Sequence, residues 1–233
     1  YKWKNKGVLL LDTPGDANFS SEAILGLKSS DNAIFVIDAI DSIKPHTENL
    51  WNMAKEGGLT RTCFVNKMDR ERADFDQVLA DIAEIFETKA LPLTIPIGKE
   101  DAFQGVVDVL KKKAYIFEKN GSGNVKEADV PGDMADLLEE TYAKVIEDLA
   151  EVDDALMEKY LEGGELSSAE LASALTAGVL KGNFLPVFAG SALLNMGVQP
   201  LMDFIVTSLP SPKDRAMPEL KSADGKTRPI KPE

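Results

Sequence analysis

The chain has 233 residues, 44% hydrophobic and 28% charged, with a formal net charge of −13, enough length for a full core in one large domain or one and a half. A single cysteine (Cys63) excludes an internal disulfide framework and a cysteine zinc cluster, and a single histidine (His46) leaves little material for histidine-based triads or multi-histidine metal sites. No apolar run approaches the roughly 20 residues that cross a bilayer, and the acidic balance argues against broad contact with nucleic-acid phosphates.

The chain is expected to open inside a strand hairpin (Tyr1-Lys-Trp-Lys, then Gly7 and Leu9), with Val8, Leu9, Leu10 and Leu11 a continuous apolar run that suits a strand covered on both faces. Residues 20–29 read as a short helix, with Ala23, Ile24 and Leu27 at helical spacing. A central strand follows over 33–38, then a helix over 47–56 stopped by Gly57 and Gly58. A strand over 61–65 leads to a helix over 75–86 whose Val78, Leu79, Ile82, Ile85 and Phe86 share one face. This βαβα alternation predicts α/β architecture, a parallel sheet flanked by helices.

After Glu87 the rhythm changes. Strands are expected over 93–97, 104–109 and 114–117, then a turn at Gly121-Ser122-Gly123 and helices over 134–161 and 167–180. Sheet logic resumes at 185–189, before a last helix carrying Val198, Leu201, Met202, Ile205, Val206 and Leu209. The domain reading is therefore a core made of 1–94 and 184–210, its N-terminal part lying outside the chain. Residues 95–183 form an inserted α+β subdomain, and 211–233, rich in Pro, Lys and Asp, form a linker towards a further domain.

Three loops carry chemistry, each after an apolar run: Asp12-Thr13-Pro14-Gly15, Asn66-Lys67-Met68-Asp69 and Gly190-Ser191-Ala192. In a parallel α/β sheet, loops leaving the carboxyl ends of strands converge on one crevice, where a nucleotide sits. Asp12 suits the water shell of Mg²⁺, and Gly15 lets a backbone N–H approach a phosphate. The carboxylate of Asp69 can accept both guanine N1–H and the 2-amino group, a pairing that adenine cannot offer, which disfavours an ATP-using enzyme. Lys67 can lie over the base plane, Asn66 can tie loops together, and backbone amides at Ser191 and Ala192 can reach guanine O6. No G-x-x-x-x-G-K-[ST] phosphate loop occurs in the 233 residues.

With these motifs the chain resembles the G domain of bacterial elongation factor G, a family of translational GTPases. The resemblance runs from Val8 to Pro212 and includes Phe64-Val-Asn-Lys-Met-Asp-Arg70, Pro96-Ile-Gly98, Phe103-Gln-Gly-Val-Val-Asp108, Leu156-Met-Glu-Lys-Tyr-Leu161, Gly197-Val-Gln-Pro-Leu201 and Leu209-Pro-Ser-Pro212. It implies a P-loop GTPase-type fold, with 95–183 as the small subdomain that interrupts this family's G domain. It also implies GTP and GDP as ligands with Mg²⁺, hydrolysis of GTP on the ribosome for translocation or recycling, contact with ribosomal RNA by the full-length protein, and a cytoplasmic location. The phosphate loop and first switch are expected upstream of Tyr1, so residues 1–233 by themselves are expected to bind GTP weakly.

One departure bears on catalysis. The family places the water-positioning His directly after the Asp-Thr-Pro-Gly motif; here Asp16 holds that position, and Asn18 replaces the family's Asp two residues later. A carboxylate beside the phosphates adds repulsion, although it can accept a hydrogen bond from water. Slow hydrolysis, or a nucleotide-sensing module that does not turn over, is therefore the alternative reading.

Charge is also unevenly placed, with 13 Asp or Glu against two Lys over 133–170. If 134–160 were one helix, Asp136, Glu140, Glu147, Glu151, Asp154 and Glu158 would fall within about 60° of each other. Such a stripe is either a solvated face or a docking surface; the resemblance favours docking of the ribosomal stalk protein, with Glu140, Glu147 and Glu151 as candidates. Cys63 and Trp51 are expected in the core and His46 in a surface loop, while Lys111-Lys112-Lys113 reads as a solvated turn or a contact for RNA.

Overall fold

In the computed structural model, residues 1–214, 219–221 and 227–229 are described. The chain opens with a hairpin, β1 (Lys2–Trp3) and β2 (Lys6–Gly7), turned by Lys4 and Asn5 at positive φ. After a 3₁₀ turn, α1 (Ser20–Lys28) leads to β3 (Asn32–Asp38), α2 (Pro45–Glu56), β4 (Thr60–Asn66), α3 (Phe75–Ile85) and β5 (Lys89–Pro92). Four strands follow: β6 (Thr94–Ile97), β7 (Gly105–Asp108), β8 (Lys113–Phe117) and β9 (Val125–Ala128). Helices α4 (Ala135–Ala150), α5 (Asp154–Leu161) and α6 (Ser168–Lys181) precede β10 (Phe184–Ala189) and α7 (Val198–Ser208). Last, β11 (Glu219–Lys221) pairs antiparallel with β12 (Thr227–Pro229). The rest of the linker expected over 211–233 lies outside the described residues beyond Asp214.

The central sheet is parallel throughout, in the order β3-β4-β10-β5. β10 is an unbroken apolar run buried at every residue because both its faces are covered, and β4 is buried at most of its residues, whereas the edge strands β3 and β5 are partly exposed. Cys63, Val65, Val187 and Ala189 are completely buried, and burial pushes the Cys63 thiol far above its usual range. On one side Trp51 of α2 stacks on Phe86 at 4.2 Å and meets Phe35 edge-on at 5.5 Å, while the Arg61 guanidinium sits 4.3 Å above the indole. Strands β6 to β9 form a separate antiparallel meander in sequence order. Four strands differ from the sequence reading: β5, a short edge strand; β9, whose Val-Lys-Glu-Ala run carries little apolar pattern; and β11 and β12, in the segment read as a linker.

Residues 8–11 correct the sequence reading. They are not a strand, and Leu9, Leu10 and Leu11 are exposed, Leu9 by 86%. An apolar run becomes a strand only by sharing a ladder, and no described strand pairs with these residues; β3, at the sheet edge, bonds β4 alone. Val36 on that edge is correspondingly 61% exposed. Helix α2 also begins earlier than expected, with Pro45 in its first turn, where a missing N–H costs nothing. That places His46 on the helix, half-buried, instead of in a surface loop.

The long acidic helix is likewise two helices. Asp153 adopts an extended backbone and its Oδ1 accepts from the N–H groups of Ala155 and Leu156, capping α5 and breaking the run. The single stripe therefore does not form: Asp136, Glu140 and Glu147 lie on α4, Glu151 caps its end, and Asp154 and Glu158 belong to α5. The three consecutive lysines are each ion-paired, Lys111 with Asp108, Lys112 with Glu139 and Lys113 with Asp129. They are thus satisfied within the chain.

Candidate functional site

The loops after β4 and β10 meet because those strands are neighbours in register, Val65 opposite Ala189. Both loops leave the carboxyl ends of those strands side by side. Asn66 joins them: its side-chain oxygen accepts from the N–H of Lys67 and of Ala192, each at 2.8 Å. Backbone bonds add to the seam, from Gly190 N–H to Val65 and from Met68 N–H to Gly190. Glycine is required at 190, since a Cβ there would lie 2.4 Å from the Met196 carbonyl oxygen.

Lys67 takes a left-handed φ of 67° and its ammonium pairs with Asp38, at the carboxyl end of β3. Burial alone would raise the Asp38 carboxyl. The Lys67 hydrogen bond, with the amides of Ile40 and Asp41, outweighs burial and holds it below the usual carboxylate range. Asp38 was not singled out from sequence, although an acid closing an apolar strand at the sheet's carboxyl edge is a readable signal.

Asp69 is the sharpest feature. Its side chain is only 13% exposed; Oδ2 lies 3.6 Å from the Arg70 guanidinium, while Oδ1 is buried with no hydrogen-bond partner. Buried acceptors are ordinarily paired, and leaving one orphaned costs about 1–3 kcal/mol. Met68, between Lys67 and Asp69, is a buried anchor.

The third loop differs in detail from expectation. Ser191 is fully buried and exchanges backbone bonds with Met196, and its hydroxyl accepts from the Leu194 N–H. The Ala192 N–H is engaged by Asn66. Neither amide is free for guanine O6; their visible role is to shape the loop.

Residues 12–16 are exposed, and no described hydrogen bond joins Asp12, Thr13, Pro14 or Gly15 to the other two loops. The Thr13 methyl lies against Gly26 of α1, where a Cβ would approach to 2.4 Å. Nothing stands within 4 Å of where a Gly15 Cβ would be, so its backbone is open to a ligand. Asp16 accepts through Oδ1 from the Asn18 backbone N–H at 2.9 Å and from its side-chain amide at 2.8 Å, starting the 3₁₀ turn.

Residues 1–211 match the family described as the elongation factor Tu GTP binding domain. The chain belongs to that family. It is 42% identical over 211 residues to elongation factor G 1 of Bdellovibrio bacteriovorus, covering 90% of this chain and 30% of that protein. A crystal structure of a protein from Thermus thermophilus superposes with a TM-score of 0.85 at 32% identity, over 92% of this chain and 32% of the other. The chain thus spans about a third of the length of the relatives it matches. It is a G domain of the elongation factor type, and guanine nucleotide is the ligand that goes with that family.

Proposed function

We propose that the chain is the G domain of a translational GTPase, binding GTP and GDP and hydrolysing GTP on the ribosome to drive translocation or recycling. The orphaned Oδ1 of Asp69 carries this reading. A guanine edge brings two donors to one carboxylate and would relieve it; an adenine edge would not. Lys67, fixed by Asp38, flanks the plane where the base would lie, and Asn66 keeps both loops together. Lys67 and Asp69 would hold the base, with Asn66, Met68, Ser191 and Ala192 shaping the loops around it. Asp12, an exposed carboxylate, is the oxygen donor that Mg²⁺ takes through water, and Gly15 offers an unobstructed backbone to phosphate. Mg²⁺ would neutralise phosphate charge when bound. Residues 95–183 are read as an inserted subdomain, and a cytoplasmic location accompanies work on ribosomes.

Equilibrium binding to the full-length protein tests the reading. GDP should bind at least a hundred-fold tighter than ADP, as two hydrogen bonds to a charged group require. Equal affinity for the two would end it. Residues 1–233 alone, without a phosphate-loop motif, should bind GTP far more weakly than the full-length protein.

A second reading, slow turnover with nucleotide state as the output, rests on Asp16. Its carboxylate replaces the family's histidine and is held by Asn18 instead of being free to swing.

A further inference from the structure

The segment between β5 and β10 touches both base-reading loops, each by a hydrogen bond that no motif accounts for. The first is from the Arg72 backbone N–H to Glu100 Oε1, at 2.8 Å. Arg72 lies three residues beyond Asp69 in a short arch whose ends are the buried Met68 and Ala73. Within the arch, Arg70 N–H bonds Lys67 and Ala73 N–H bonds Arg70; Glu100 is the acceptor at its crest. Both Arg72 and Glu100 hold positive φ, 66° and 53°, a conformation that costs a non-glycine residue about 1 kcal/mol or more unless its surroundings enforce it.

Glu100 stands on a rigid turn. Gly98 has φ 78°, and a Cβ there would lie 2.2 Å from the Ala102 carbonyl oxygen. Backbone bonds from Ala102 N–H to Lys99 and Phe103 N–H to Glu100 close the turn, and Phe103 is completely buried beneath it. The second contact is from the Gln199 side-chain amide to the Gly123 carbonyl oxygen, at 2.8 Å. Gln199 opens α7, directly after the loop containing Ser191 and Ala192, and Asn195 of that loop packs so closely on Gly123 that a Cβ would meet its Nδ2 at 2.4 Å.

Resting on the guanine reading above, we propose that residues between β5 and β10 brace the base pocket, and that Glu100 and Gln199 are positioning residues for guanine selectivity. Glu100 holds the arch that aims Asp69; Gln199 holds the loop that Asn66 joins to it. Asp69 must place two oxygens against two donors at once, so a small loss of order in the arch weakens the second contact first.

The test compares GDP with IDP, which lacks the 2-amino group, on the full-length protein and its E100A, E100Q and Q199A variants. E100A should weaken GDP about three- to ten-fold, the range for one lost hydrogen bond to a charged acceptor at the surface. IDP should change less, so the GDP-to-IDP ratio narrows. E100Q, whose side-chain oxygen still accepts from Arg72 N–H, should keep the wild-type ratio, and Q199A should narrow it. A ratio unchanged in both E100A and Q199A overturns the proposal. So does an equal loss for both nucleotides with a fall in melting temperature, which marks a structural role only. If the wild type fails to prefer GDP over ADP, the guanine reading falls instead. The brace is then judged by amide hydrogen exchange: E100A must speed exchange over 69–72 and spare β6, and unchanged exchange there overturns it.

Discussion

Asp69 offers one carboxylate oxygen that nothing in the described residues satisfies, next to a lysine pinned by Asp38. A ligand that donates to this oxygen would complete it. Asp16 shows the reverse condition, since its Oδ1 is already engaged twice by Asn18. A carboxylate held in this way can orient water only through its other oxygen, and on the proposed reading it would add negative charge where phosphoryl transfer needs neutralisation. Single-turnover GTP hydrolysis by the full-length protein on ribosomes should therefore rise about ten-fold or more in D16H, with nucleotide affinity little changed. If D16H is slower than the wild type, Asp16 itself takes part in positioning the water.

Among the elements, α6 has the most completely specified start. Ser167 Oγ accepts from Glu170 N–H, and the Glu170 side chain accepts from Ser167 N–H and from its hydroxyl. Hydrogen bonds from Lys159 and Ser167 hold the Glu170 carboxyl down at about 2. A carboxyl depressed on folding stabilises when ionised, so its contribution is full above the ordinary value of 4.5 and is lost as pH falls towards 2. S167A should cost about 1 kcal/mol by chemical denaturation at neutral pH. The difference in melting temperature between wild type and E170Q should shrink steadily as pH falls through that window; a difference independent of pH would contradict this account.

Elements with strong local signals were legible in the sequence: the apolar face of α3, the helix of α6, and the apolar, β-rich segments of β3, β4 and β10. Partnership was not legible. Residues 8–11 and 184–189 look alike as text, yet only the second run has strands on both sides. The Asp153 cap was readable as a helix start but was masked by helical spacing that ran across it. Of the candidate site, the loops after β4 and β10 could be named from sequence because their motifs are local, and the structure sets them side by side. Glu100 and Gln199 could not, because each acts on a residue 28 or 76 positions away, whereas Asp38 left a signal at the end of its strand.

For the whole molecule, the sheet brings two loops to one edge, and residues 95–183, with a separate antiparallel sheet and helices, carry most of the net negative charge. The groove between α3, β5 and α4 is lined by Glu140, Glu147 and Glu151 as well as Lys89 and Lys144. Glu140 pairs with Lys144, and Glu151 shares Lys89 with Asp148, whereas Glu147 has no ion pair among the described residues. We propose this face as the docking surface for the basic side of the ribosomal stalk protein. Changing Glu147 and Glu151 to Lys should reduce stalk-dependent stimulation of GTP hydrolysis several-fold while leaving hydrolysis without the stalk unchanged; equal stimulation would reduce the face to solvation. The account as a whole depends on a carboxylate at position 69 choosing the base. The most direct measurement is nucleotide affinity of the full-length D69N variant, whose amide presents one acceptor and one donor group. It should lose GDP about a hundred-fold or more and gain xanthosine diphosphate, whose carbonyl at the second carbon accepts from the new amide. Undiminished GDP binding in D69N would contradict the account.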